Sequence, residues 1–329
     1  MKKQIWYVFG VVSAVILIVA GLSFWAVCKA MQAETHVRYA GLQNMIAQQM
    51  EKTVTVMESN AKHVFDEVGR NLQSPDAVIA ALQRKAGMAP DARGYFAAFE
   101  PEFFKEKGTW FEPYVHHEDS SEFVLSMVGS ARHDYTKSSW YIRAKQSKDG
   151  FWSDPYYYYD GTEISGRYCT YIEPVFNQDG QLACVCGADI TFDWLIKELM
   201  RIDEQYRTNR SLNKFPLMRD LDFFSAVVDK DGSGLVLPAD KKLTIKDKEL
   251  IQDMMQRKTG SIDMTVDGVA STLYYGPIEG ISWTLVVVVP NHDIRKPELI
   301  VGFVLLAIAI IGIVVTWFIC RRIRYVEEN

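Results

Sequence analysis

Between Asp134 and Asp189 the chain concentrates side chains suited to holding a small molecule. Tyr135, Trp140, Tyr141, Phe151, Trp152 and the run Tyr156-Tyr157-Tyr158-Tyr159 lie between those two carboxylates, followed closely by Asp160. Aromatic rings supply flat apolar walls with polar tips, and beside carboxylates they can box a cation. About half of these rings must also build a sheet core, since alternation along Tyr156–Tyr159 turns two inward and two outward. Asp189 follows the apolar run Leu182 to Ala188 and precedes a helical pattern that begins at Phe192. A carboxylate in that place is a helix cap, a ligand anchor, or both.

Other clusters carry less. Asp229-Lys230-Asp231-Gly232-Ser233-Gly234 has oxygens at alternate positions and a glycine in sixth place, as in a calcium loop. However, the twelfth residue is Asp240 where a bidentate glutamate is needed, and Pro238 blocks an exit helix. A plain hairpin turn is the expectation. His116-His117-Glu118-Asp119 offers metal donors, but adjacent histidines diverge in most conformations, so a solvated loop is expected there. Cys184-Val185-Cys186 reads as small buried strand residues rather than a redox or metal pair. No nucleophile elbow, phosphate-binding glycine loop or zincin motif occurs. No enzyme, cofactor or metal is expected from this chain.

The elements that must position these residues lie between two apolar runs. Residues 5–28 and 299–320 contain no charged residue, and each exceeds the roughly 20 residues a helix needs to cross a bilayer. Lys2 and Lys3 precede the first, and Arg321, Arg322 and Arg324 follow the second. The positive-inside rule then places the tails 1–4 and 321–329 in the cytoplasm and residues 29–298 outside. The first run is too long for a signal peptide's apolar core. The chain carries a net charge of −5, and its basic tails make the part between the spans more acidic still. That excludes nucleic acid as a partner.

Residues 29–72 read as one stalk helix of about 65 Å, with Val37, Leu42, Ile46, Met50, Val54, Met57, Ala61, Val64, Val68 and Leu72 in a stripe. The stripe can pack on its own domain or pair with a second copy, and a homodimer through stalk and transmembrane helices is the expected assembly. Ser74-Pro75-Asp76 starts a second helix. Strand patterns follow at 95–99, 123–125, 167–176 and 181–190, the last two joined by Asn177-Gln178-Asp179-Gly180. A weaker set recurs at 223–228, 235–237, 261–266, 272–275 and 283–289, after a polar linker near 208–214. Helical segments near 192–207 and 246–257 separate the groups. The fold class is α+β: two antiparallel-sheet domains in tandem, at 73–207 and 208–298, behind a long helix. With Asn177–Gly180 as the turn, Phe176 faces Gln181 and Tyr171 faces Cys186. That keeps Cys169 one diagonal step from Cys186, too far for a disulfide.

Several segments in order resemble a known family. Gly94-Tyr95-Phe96-Ala97-Ala98-Phe99-Glu100-Pro101, His133-Asp134-Tyr135, Trp140-Tyr141, Trp152-Ser153-Asp154-Pro155-Tyr156, Pro174 to Gly180 and Gly187-Ala188-Asp189-Ile190 resemble the membrane-distal half of a double Cache (dCache) sensor. Val227 to Gly232, Tyr275-Gly276-Pro277, Trp283 and Val289-Pro290 resemble the proximal half. The resemblance implies two PAS-like domains and a small ligand bound in the distal one. It also implies output from a cytoplasmic kinase, chemotaxis, cyclase or phosphatase module. In amino-acid-binding members an arginine two residues before the Trp-Tyr pair grips the ligand carboxylate. That position is Ser138 here. The amine-binding aspartate matches Asp189, and a second acidic position corresponds to Tyr158. The amine half of such a site is thus partly kept, which leans toward a small polar ligand such as an amine. Asp189, Trp140, Tyr141, Tyr156 and Tyr135 are the expected ligand-binding residues.

The expected protein is a multi-pass sensor of a bacterial inner membrane that signals to a cytoplasmic module. The nine residues after Cys320 are too few to form that module, so it belongs to a longer chain or to a partner. The rival expectation is a membrane-anchored assembly protein that uses PAS-like domains to dock partners. A distal cavity with convergent polar groups favours the sensor, and a filled distal core favours the rival.

Overall fold

A single helix, α1, runs from Lys2 to Arg70, about 100 Å at 1.5 Å per residue. The structure, a computed structural model, describes residues 2–89, 91–117, 122–159, 165–208 and 223–328. Glu118, Asp119 and Asp160, and nearly all of the expected linker, lie outside the described residues. The lower part of α1 and the C-terminal helix α6 (Asn291–Glu328) are long and apolar enough to cross a membrane. No residue of α1's most apolar 18-residue stretch is buried, unlike the core helix of a soluble protein. The two helices pack together there, with the Phe24 ring close against Gly302.

The apolar stripe of α1 is covered by the chain itself. Leu42, Ile46, Met50, Val54 and Met57 join a core with Val227, Leu285, Val287 and Val289. Further along, Ala61, Val64, Phe65 and Val68 join Tyr95, Ala97, Phe99 and Tyr171. Val37 is 74% exposed and departs from the expected stripe. Since Tyr39–Met57 meet the second sheet and Ala61–Val68 the first, the first sheet lies farther from the apolar ends.

That distal sheet has seven strands. They are β1 (Gly94–Phe99), β2 (Pro113–His116), β3 (Val124–Met127), β4 (Phe151–Trp152), β5 (Tyr156–Tyr159), β6 (Ser165–Phe176) and β7 (Leu182–Thr191). The order is β3-β2-β1-β7-β6-β4, with β5 also paired to β6, and every pairing is antiparallel. Its back face meets α1 and α2 (Pro75–Ala86), whose Ser74 cap accepts the Ala77 N–H at 3.2 Å. Its front face meets α3 (Ser139–Gln146).

The β6–β7 register differs from expectation. Tyr171 pairs with Ala188 and Glu173 with Cys186, because Phe176 pairs with Leu182 and the register shifts between Val175 and Phe176. Asn177 causes the wider turn: its Oδ1 accepts the N–H groups of Asp179 and Gln181 at 3.0 and 2.9 Å. The slip is two residues, so each side chain keeps its face. Cys169 now pairs with Ile190, farther from Cys186 than expected. All five cysteines are free, and the Cys184 and Cys186 sulfurs lie 3.7 Å apart.

The helix α4 (Phe192–Thr208) leads toward the proximal sheet. There β8 (Phe224–Val228), β9 (Gly234–Val236), β10 (Gly260–Val266), β11 (Val269–Pro277) and β12 (Thr284–Pro290) run in the order β10-β11-β12-β8-β9, with α5 (Lys248–Met255) packed against it. Buried Asp203 of α4 accepts both the N–H and hydroxyl of Ser225, at 2.8 and 2.5 Å, and so fixes α4 to β8. The Asp229 loop is a hairpin turn between β8 and β9. Its Oδ1 accepts the N–H groups of Asp231 and Ser233, both at 2.9 Å.

Candidate functional site

The front face of the distal sheet opens onto a cavity of about 640 Å³. Strand alternation sends Phe96, Tyr114, Tyr156, Tyr158, Tyr168, Thr170 and Asp189 to this face, while Tyr95, Tyr171 and Cys186 turn to the helices behind. Two glycines leave room for the rings. A Cβ on Gly187 would stand 2.2 Å from the Phe96 ring, and one on Gly94 would stand 2.6 Å from the Tyr114 ring. The wall is α3, whose Trp140 meets Phe96 edge-on at 5.3 Å. The lip is Ser153-Asp154-Pro155, pinned to β6 where the Ser153 N–H meets Thr170 O at 2.9 Å and Ser153 Oγ accepts the Thr170 N–H at 3.0 Å.

Asp189 forms the floor. It is 8% exposed, and Thr170 Oγ1 donates to its Oδ1 at 2.6 Å. The Tyr156 hydroxyl lies 3.2 Å from the same oxygen and 2.6 Å from Thr170 Oγ1. Tyr114 also bonds this carboxylate. Burial pushes the Asp189 carboxyl above its ordinary range, and the three hydroxyls pull it back. Hydroxyl donors stabilise the ionised form of a buried carboxylate. Asp189 stands two residues before Thr191, the last residue of β7, whose Oγ1 accepts the Trp194 N–H at 3.3 Å. Thr191 therefore makes the capping bond that the sequence offered to Asp189.

The five expected site residues divide. Asp189, Trp140 and Tyr156 line the cavity together. Tyr141 and Tyr135 do not line it. Neighbours on a helix point about 100° apart, so Tyr141 turns under α3 and donates to Glu100 at 2.8 Å. Tyr135 is fully buried in a short 3₁₀ helix (Tyr135–Lys137) and donates to Phe99 O at 2.7 Å. Within the tyrosine run, Tyr156 and Tyr158 face the cavity and Tyr157 is 69% exposed. His116 and His117 part company: one meets Ser126 Oγ at 2.9 Å and the other Ala92 O at 3.0 Å. Sequence reasoning missed Glu112, Arg143 and His133 as lining residues. The spacing Trp140-x-x-Arg143, about one helical turn, is the sequence signal that sets Arg143 on the same face as Trp140.

Comparisons with known proteins agree with this geometry. Residues 78–197 match the family described as methyl-accepting chemotaxis protein-like, first PDC sensor domain. No curated protein matches the chain. Among solved structures, the periplasmic sensory domain of the Campylobacter jejuni chemoreceptor Tlp1 is similar over 81% of this chain and 99% of its own, at TM-score 0.62 and 14% identity. The ligand-binding domain of C. jejuni Tlp3 in complex with L-norvaline covers 82% of this chain and 95% of its own, at TM-score 0.55 and 13% identity. That of Pseudomonas fluorescens CtaA in complex with L-isoleucine covers 82% and 97%, at TM-score 0.53 and 15% identity. The fold is that of a double Cache sensor. At these identities the double Cache likeness concerns architecture, and the cavity's own residues must carry any statement about its contents.

Proposed function

We propose that this chain is the sensory part of a transmembrane receptor. It binds a small polar ligand in the distal cavity, with a cationic or hydrogen-bond-donating end on Asp189. Units 73–207 and 208–298 form the extracytoplasmic part, α1 and α6 cross a bacterial inner membrane, and both tails lie in the cytoplasm. Ligand occupancy shifts the distal unit between two states, and the helices carry that shift to a cytoplasmic output module. The observation that carries this reading is the buried Asp189, held by three hydroxyls at the floor of an aromatic cavity. One wall connects directly to the stalk: Trp152, next to the cavity lip, donates its indole N–H to Glu58 of α1 at 2.7 Å.

The test is a thermal-shift screen of the full chain in lipid nanodiscs against small metabolites. A hit should raise the melting temperature of the native protein and lose that effect in Asp189→Asn. A hit that stabilises both equally would remove Asp189 from the site. If no small molecule binds and a partner protein docks instead, the receptor reading gives way to an assembly role. The topology has its own check: a cysteine at exposed Lys148 should react with an impermeant thiol reagent in intact cells.

A further inference from the structure

The cavity contains a second carboxylate that the reading above leaves unused. Glu112 immediately precedes β2 and is 4% exposed. It lines the same cavity as Asp189, two residues before Tyr114. Its Oε2 is buried and has no hydrogen-bond partner, while His133 Nε2 stands 3.5 Å away. Burial, and then the charge of Asp189, pushes the Glu112 carboxyl well above the usual carboxylate range. The contact with His133 is an ion pair only while the imidazole is protonated; beside a neutral His133 the buried acid oxygen lacks a donor, a costly arrangement that a donating ligand relieves.

The remaining surfaces say what that donor is. Phe96, Tyr114, Trp140, Tyr156 and Tyr158 line the cavity, and aromatic rings attract cations. Arg143, the guanidinium of the lining, stacks on the Phe151 ring at 3.8 Å and is exposed, so it sits at the rim. The lining is therefore acidic at two points and rich in aromatic rings, with Arg143 at the rim and His133 beside Glu112.

We infer that Glu112 is a second anchoring carboxylate and that the ligand carries two basic nitrogens joined by an apolar spacer, one meeting Asp189 and the other Glu112. This rests on the proposal that the cavity takes its ligand through Asp189. A linear diamine is the simplest compound of that class, and its methylenes would lie against the rings. Glu112 then sets specificity, separating diamines from monoamines, which satisfy only one of the two acids.

Isothermal titration of the full chain in nanodiscs with putrescine, cadaverine and butylamine tests this. A diamine should bind more than about tenfold tighter than butylamine, the value of one further charge-assisted bond. Glu112→Gln, and Glu112→Met as a second variant, should bring both diamines down to the affinity of butylamine. Asp189→Asn should weaken both ligands. Equal affinity for putrescine and butylamine, or a preference that survives both Glu112 variants, would overturn the role of Glu112 while leaving Asp189 in place. Absence of any Asp189-dependent amine binding would instead remove the amine reading of the whole cavity.

Discussion

The two sheets share an architecture but use their front faces in opposite ways. On the proximal sheet that face is filled: Ala226, Val228, Leu273, Val286 and Val288 pack beneath Leu243, Ile245, Leu250 and Met254. On the distal sheet the equivalent layer stops short. Tyr141 and Ala144 of α3 cover part of it, and the rest is a cavity lined by Tyr114, Tyr156, Thr170 and Asp189. Both back faces are alike, each an apolar layer against α1. The difference lies in a few positions. Where the proximal strands place valine and leucine, the distal strands place glycine beside tyrosine and a carboxylate. An open face forgoes apolar burial, which is the main stabilising term of a small domain, and leaves a cavity in exchange.

This contrast can be broken or sharpened by substitution. The largest effect should come from the filled face: Leu273→Ala leaves a cavity in a fully buried layer and should cost about 2–5 kcal/mol, with ligand affinity unchanged. Denaturant unfolding alongside ligand titration reads both, and a change in affinity would mean that the two faces are not separable. Asp189→Asn should do the reverse. Ligand binding falls by about 1.5–3 kcal/mol, more than tenfold, while the unfolding midpoint without ligand barely moves.

Glu112→Gln should stabilise the ligand-free protein by an amount of order 1 kcal/mol near neutral pH, since it removes a buried ionisable group. The sign follows from its raised carboxyl. The unfolded chain ionises above about pH 4.3 while the folded one resists, so stability from this group is present below that pH and is lost as pH rises toward the folded value. The gap between variant and native protein should therefore close near pH 4 and widen toward pH 8. A gap independent of pH would show that Glu112 is not the group responsible. The smallest effect belongs to Asp154→Asn, which cuts the exposed 3.1 Å ion pair between the cavity lip and Lys230 of the proximal turn. Surface pairs of this kind are worth less than about 1 kcal/mol, and a larger loss in unfolding experiments would reveal a stronger union of the two units than the contact suggests.

Much of this was legible in the sequence where the signal is local. Ser74-Pro75 marked a helix start, and Asn177 to Gly180 marked a hairpin. The run from Leu182 led to Asp189 at a strand end. Alternation along the tyrosine run splits it two and two, and Tyr156 and Tyr158 are the pair that lines the cavity. Tyr141 was misplaced, because it lies on a helix too short, at eight residues, to show a period. The β6–β7 register was off by two because an asparagine side chain holds a wider turn than an Asp-Gly pair alone implies. Glu112 could not be read at all. It gains its meaning only when β2 pairs with β1 and brings residues far apart in sequence to the face that carries Asp189.

The unbroken course of α1 sets the mechanical gain of this molecule. Glu58, where the Trp152 indole is tethered, sits about 45 Å along the helix axis from Cys28 at the end of the apolar stretch. A sideways push of about 2 Å at that tether would tilt an undeformed rod by only about 2.5° over such a length. The lower segment would therefore act as a long, low-gain lever, its far end showing a small inclination rather than a large stroke. Any machinery that reads it must respond to angle.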